Sequence, residues 1–218
     1  RAPAMVTDLL QKIQNNDSFV IRRGAAFGLD GCLSGLTLAS IKKFDIMKEL
    51  TAAATDKKNE YRRQGAMFAF ECMSRAFGKL FEPYIVVILP LLLSGCGESV
   101  PSVREAAEGA ARMVMSQLSG QGVKMVVPAL KKGLEEDQWR AKVASVALFG
   151  SMAYCSPKQL GNCLPAVVPT LAEIICDVHP KVQEEARLAL KQVADVISNP
   201  EIKSLSPILL KSYSDLDA

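Results

Sequence analysis

One local pattern returns along the whole chain, an apolar residue, an arginine, two variable positions and a small residue. It appears as Ile21-Arg22-Arg23-Gly24-Ala25, Tyr61-Arg62-Arg63-Gln64-Gly65, Val103-Arg104-Glu105-Ala106-Ala107 and Trp139-Arg140-Ala141-Lys142-Val143. A weaker fifth is Val182-Gln183-Glu184-Glu185-Ala186, with Lys181 one position earlier. The starting positions 21, 61, 103, 139 and 182 are separated by 40, 42, 36 and 43 residues. A period near forty is the mark of a helical solenoid, because one unit of that length cannot bury its own apolar face and must stack on neighbours.

Each recurrence opens a helical stripe. In the last, Val182, Ala186, Ala189, Val193 and Ile197 fall on one face of a 3.6-residue helix. An acidic residue precedes each start by four or five positions, at Asp17, Asp56, Glu98, Glu135 and Asp177, where a carboxylate complements the helix N-terminus. Upstream lies a second apolar-periodic segment, over Ala4 to Gln14, Ile41 to Ala54, Pro83 to Gly95, Gly122 to Leu134 and Leu164 to Cys176. In the fourth of these, Val123, Val126, Val127, Leu130 and Leu134 make one face. Pro90, Pro128 and Pro169 lie inside such segments and bend them.

The expected fold is therefore all-α: a single array of antiparallel helix pairs, helix A, acidic turn, helix B. The repeats run roughly over 1–37, 38–79, 80–119, 120–156 and 157–198, with a partial sixth over 199–218 that begins with a helix from Ile202 to Tyr213. Neither end reads as a polar cap, which implies a piece of a longer solenoid.

Composition narrows the function. Twenty-six basic and 23 acidic residues leave a net charge of +3, too balanced to imply nucleic-acid binding without a local patch. Six scattered cysteines, with no CxxC and a lone histidine, His179, point to no metal site and to a reducing compartment. The longest apolar run, Tyr84 to Leu93, is too short to span a bilayer, so no membrane is expected. A single histidine, no phosphate-binding glycine loop and no paired nucleophile and base leave no catalytic residue and no cofactor to nominate.

The basic residues divide into two sets. Arg22, Arg62, Arg104 and Arg140 fill the recurring slot and are expected to hold the frame by pairing with the acidic turns. Arg23, Lys57, Lys58, Arg63 and Lys142 are additional charges, expected to line one edge and to suit rRNA phosphates or an acidic partner. Trp139 is expected to pack between repeats, with an interface hot spot as the competing reading, and His179 to be a solvated loop residue.

The helix pairs, the Asp before a Val-Arg-x-x-Ala start and the proline in helix A resemble HEAT repeats. RRGAAFGLDG (Arg22 to Gly31), GAMFAFECMSRAFGKLFEPYIVVILPLLL (Gly65 to Leu93) and MAYCSPKQLGNCLP (Met152 to Pro165) resemble the general-control translational activator family. VREAAEGAARMVMSQLSGQGVKMVVPAL (Val103 to Leu130) and VISNPEI (Val196 to Ile202) fit the same family, in its part similar to the HEAT domain of translation elongation factor three. The resemblance implies a cytoplasmic, non-catalytic scaffold. Its implied partners are translating ribosomes, an ATP-binding-cassette protein and, through other parts of the full-length chain, the starvation-response kinase of translation initiation factor two. A HEAT adaptor of nuclear transport or phosphatase type, and a direct rRNA-binding module, are the competing expectations.

Overall fold

The computed structural model describes residues 2–35, 38–155 and 157–196. These form α-helices throughout, with no strand among the described residues. Two compact units divide the chain, 1–117 and 118–218.

In the first unit, α1 (Ala2–Asn15) and α2 (Phe19–Ser34) make one pair. α3 (Ala39–Lys43) and α4 (Ile46–Ala54) lead into α5 (Glu60–Phe77), and α6 (Glu82–Gly97) into α7 (Pro101–Ser116). The expected continuous helix from Ile41 to Ala54 is broken, because Asp45 takes a left-handed conformation at φ 50° and the axis restarts at Ile46. Gly78, at φ 51°, ends α5 and admits a short 3-10 turn, Gly78–Phe81, before α6.

Helix α5 is the centre of this unit. It meets α2, α7, α1 and α4. Almost every residue from Arg63 to Ser74 is buried, including Met67, Phe68, Phe70 and Met73. Burying each such large side chain contributes about 1.5–3 kcal/mol, so no unit-by-unit dissection leaves this helix stable alone. The stretch Glu60–Gly97 is long and apolar enough in composition to cross a membrane, yet half of its most apolar window is buried within the protein and Gly78 turns the chain inside it.

The second unit pairs α8 (Gly120–Leu134) with α9 (Trp139–Cys155), and α10 (Pro157–Ile174) with α11 (Pro180–Val196). The two faces expected from periodicity are the buried ones: Val123, Val126, Val127, Leu130 and Leu134 on α8, and Val182, Ala186, Ala189 and Val193 on α11. Pro90 and Pro128 stand on exposed sides of helices that continue through them. Ile197 and the expected helix from Ile202 to Tyr213, with the partial sixth repeat, lie outside the described residues.

Candidate interaction surface at the helix-B turns

The B helices share one register, fixed by backbone bonds at their starts. The amides of Arg22, Arg63 and Arg104 donate to the carbonyls of Ser18, Asn59 and Val100, and those of Lys142 and Gln183 to Gln138 and His179. By backbone register the recurring slot is therefore Arg22, Arg63, Arg104, Lys142 and Gln183, with Arg62 and Arg140 standing before it, although Arg62 still pairs with its acidic turn as expected, through Asp56 at 2.8 Å. The sequence pattern slips by one residue at Arg62 and by two at Arg140.

Four of the slot residues, all but Lys142, clamp the turn behind them through main-chain oxygens. Arg22 Nη1 donates to the carbonyls of Asn16 (2.9 Å) and Asp17 (2.7 Å), and Arg104 Nη1 to those of Glu98 and Ser99 (both 2.9 Å). Arg63 Nη1 reaches the Asp56 carbonyl at 2.7 Å, and Gln183 Nε2 the Asp177 carbonyl at 2.7 Å. Arg22 is 3% exposed, and its guanidinium also lies over the Tyr61 ring, 4.7 Å from the centroid. Burial lowers its pKa from the ordinary arginine value, while Tyr61, Asp17 and Glu60 oppose that shift.

A second set of bonds links repeat to repeat. Arg22 Nη2 donates to Gln64 Oε1, and Gln64 Nε2 to the Ser102 carbonyl at 2.9 Å. Arg63 pairs with Glu98 at 2.9 Å, and Lys142 with Asp177 at 2.9 Å. Arg23 makes a two-point contact with Glu71 (3.0 and 3.2 Å) across the ring of Phe68. Arg62 bonds Asp56 of its own turn (2.8 Å) and Gln14 of the preceding repeat (2.9 Å).

Of the acidic turn residues, Asp56, Glu98 and Asp177 serve as ion-pair partners, and Asp56 and Asp177 also accept the amides of Lys58 and His179 within their turns. Capping falls to Asn59, whose side chain accepts from the amides of Tyr61 and Arg62, and to His179, whose Nδ1 accepts from the Lys181 amide. Burial opposes ionisation of Asp177, but the His179 amide and the Lys142 ammonium outweigh it and hold the carboxyl below its ordinary range.

Of the five additional charges, Lys57 and Lys58 are exposed, and they border a recess of about 600 Å³ together with Asn59, Glu60, Tyr61 and Arg63. Arg23, Arg63 and Lys142 are engaged in the ion pairs above. Trp139 packs against the next repeat, as expected, but is only half-buried. Its indole stacks on His179, with centroids 4.3 Å apart and planes at 8°, while Arg140 (4.5 Å) and Lys181 (5.2 Å) lie over the same ring. His179 is accordingly a stacked, capping residue and not a free loop histidine. Gln64, Gln183 and Lys181 were not nominated from sequence as site residues. The aligned starts reveal the first two, since each stands at or beside the slot. Among the described residues no group of three His, Cys, Asp or Glu side chains is placed to hold a metal ion.

Stacked helix pairs with clamped turns and exposed aromatic and basic side chains at the turns define an α-helical repeat scaffold. The model of the EF3 N-terminal HEAT repeat family matches residues 22–190, and the chain belongs to that family. It is 51% identical to Protein ILITYHIA of Arabidopsis thaliana and 49% identical to Stalled ribosome sensor GCN1 of Homo sapiens, over 98% of its length in both cases. It is 48% identical to eIF-2-alpha kinase activator GCN1 of Dictyostelium discoideum over 97%. The chain spans 8% of each of these relatives. The MAST/Orbit N-terminal domain shares the fold, with a TM-score of 0.65 at 16% identity over 96% of both chains.

Proposed function

We propose that this chain is one stretch of the non-catalytic HEAT scaffold of a cytoplasmic translational activator. The whole protein binds translating ribosomes and an ATP-binding-cassette partner. It promotes activation of the starvation-response kinase that phosphorylates the α subunit of translation initiation factor two, with kinase contact made by other parts of the full-length chain. The observation that carries this reading is the 48–49% identity, over nearly the whole chain, to proteins named as a stalled ribosome sensor and as an eIF-2-alpha kinase activator.

Within this stretch we assign partner contact to two separate places, the exposed pair Lys57 and Lys58 and the cluster of Trp139, Arg140, His179 and Lys181. A half-exposed tryptophan flanked by arginine is the composition of an interface hot spot. Arg23, Arg63 and Lys142 support the surface from behind, since their charges are met by Glu71, Glu98 and Asp177. Full-length protein carrying Lys57→Glu with Lys58→Glu, or Trp139→Ala with Arg140→Glu, is recovered from translating extract and its ribosome content measured. Recovery falls several-fold for at least one pair. Unchanged recovery for both sinks the contact assignment, and no recovery with the unaltered protein sinks the ribosome reading.

A direct rRNA contact is favoured by one feature, the adjacent exposed lysines beside the exposed ring of Tyr61. It predicts a steep salt dependence that the lysine pair controls. Ribonuclease treatment that leaves ribosomal proteins bound rules it out.

A further inference from the structure

The A helices of the first two repeats, α1 and α4, leave a recess of about 490 Å³ between them, floored by Leu10 and Gln14. Two features of its walls go unused by the fold. The first is the break before α4. Asp45 is the one non-glycine residue of positive φ among the described residues, at 50°, and its side chain caps nothing on α4 in return. Strain of this kind persists only where the surroundings impose it, and it collects at ligand sites. The break places Phe44 and Glu49 on the recess wall. The second feature is Gln14. It is 5% exposed, and its Oε1 accepts from Arg62 Nη2 at 2.9 Å. A guanidinium only donates, so the oxygen must face Arg62. The amide Nε2 is left on the recess side, with no partner among the described residues.

The outer part of the α1 wall continues this chemistry. Thr7, Gln11 and Asn15 stand at i, i+4 and i+8, one row along the helix, and all three are exposed. The Thr7 hydroxyl donates to the Pro3 carbonyl, so toward the recess it accepts. Successive members of the row are ~6 Å apart along the helix axis. Residues facing the same way in an extended chain recur every ~6.6 Å, which matches that spacing. A carboxamide carries both an acceptor and donors, the complement of a peptide unit. Charge argues against an anion as the occupant. Asp56 already neutralises Arg62 at 2.8 Å, and Glu49 pairs with no cation among the described residues. Lys43 lies over the Phe44 ring at 5.7 Å, so that ring has its cation and suits an apolar neighbour.

We propose that this recess binds an extended peptide segment of a partner protein, gripping it by its main chain. Gln11 and Asn15 bond alternate peptide units, and Gln14 Nε2 donates to a carbonyl between them. An apolar side chain of the segment lies against Phe44 and Leu10, and a basic one two residues along reaches Glu49. The row from Thr7 to Asn15 is ~12 Å long and holds about four extended residues. The contact needs neither the lysine pair nor the Trp139 cluster.

The probe is an end-blocked alanine heptapeptide with photoleucine at its third place and arginine at its fifth. It is irradiated with native full-length protein, and the label is located by mass spectrometry of the digest. Labelling is expected on α1 and on the segment joining α3 to α4. It falls several-fold when alternate amides of the probe are N-methylated. It falls as far in protein carrying Gln11→Ala with Asn15→Ala, exposed positions whose loss leaves the unfolding midpoint unchanged. Glu49→Lys lowers labelling too, and a probe with glutamate in place of arginine restores it. No labelling at millimolar probe, labelling that survives N-methylation, or labelling indifferent to Gln11 and Asn15 overturns the proposal. Exclusion of the probe that grows with protein concentration makes a second copy the occupant, and overturns it as well.

Discussion

Arg22 and Gln64 are joined by a buried hydrogen bond that crosses from one B helix to the next, and Gln64 passes the link on to the Ser102 carbonyl. A glutamine suits this place because it accepts and donates at once, and an arginine or a carboxylate does only one of the two.

Gln64→Leu leaves a guanidinium N–H of buried Arg22 without its partner and removes the link to the Ser102 carbonyl, and the expected loss is about 2–4 kcal/mol. Gln64→Glu keeps an acceptor for Arg22 and loses the donor to Ser102, so it falls between wild type and leucine. Urea unfolding checks both through the midpoint, with the slope unchanged. Equal stability for leucine and glutamine would show that the ladder holds nothing.

Gly65→Ala drives a methyl into the Ile13 backbone carbonyl. Its cost is expected at about 2–4 kcal/mol, despite the gain of about 1 kcal/mol in helix propensity. Gly109→Ala, whose Cβ sits 3.8 Å from Glu71 Oε2, is the matched control and raises stability by about 0.5–1 kcal/mol. Thermal unfolding of the two variants side by side reads the opposite signs.

The Lys142–Asp177 pair gives the second unit an acid dependence. Asp177 has a lowered pKa in the folded protein, relative to an ordinary value of 3.8. Its contribution is therefore complete above that value and is lost as the pH falls through the lower, folded one. Asp177→Asn costs about 1 kcal/mol at neutral pH and flattens the stability decline below pH ~4. Chemical denaturation across that range, monitored by Trp139 fluorescence, measures the difference.

The thiols separate by burial. Burial pushes Cys72 up to about 11 and Cys96 up to about 12, so both are held as inert thiols. Cys176 is exposed. At pH 8 a maleimide is expected to label Cys176 within minutes and Cys72 and Cys96 only on unfolding, with mass spectrometry of the digest as the readout.

The period and the buried faces of α8 and α11 were legible because apolar spacing reports which side of a helix meets the core. The register of the arginine slot was not. Arg62 and Arg63 are adjacent and chemically identical, and only the helix start set by Asn59 shows which one turns inward. At the fourth repeat the slot residue is Lys142, 38 positions after Arg104 rather than 41, so the pattern fastened on the neighbouring Arg140. Gln183 escaped because a neutral side chain does there what a guanidinium does at Arg22 and Arg104. The size of Trp139 pointed to a contact between repeats, but its stacking partner His179 lies 40 residues away and no local spacing announces the pair.

The turn clamp grips main-chain oxygens, at Asn16 and Asp17, at Asp56, at Glu98 and Ser99, and at Asp177. Such a clamp is indifferent to the side chains of the residues it holds. Turn positions other than Asp56, Glu98 and Asp177, whose carboxylates take part in ion pairs, are therefore free to diverge from one repeat to the next without loosening the clamp. A protein built this way can acquire new binding specificities at its edge while its architecture stays constant.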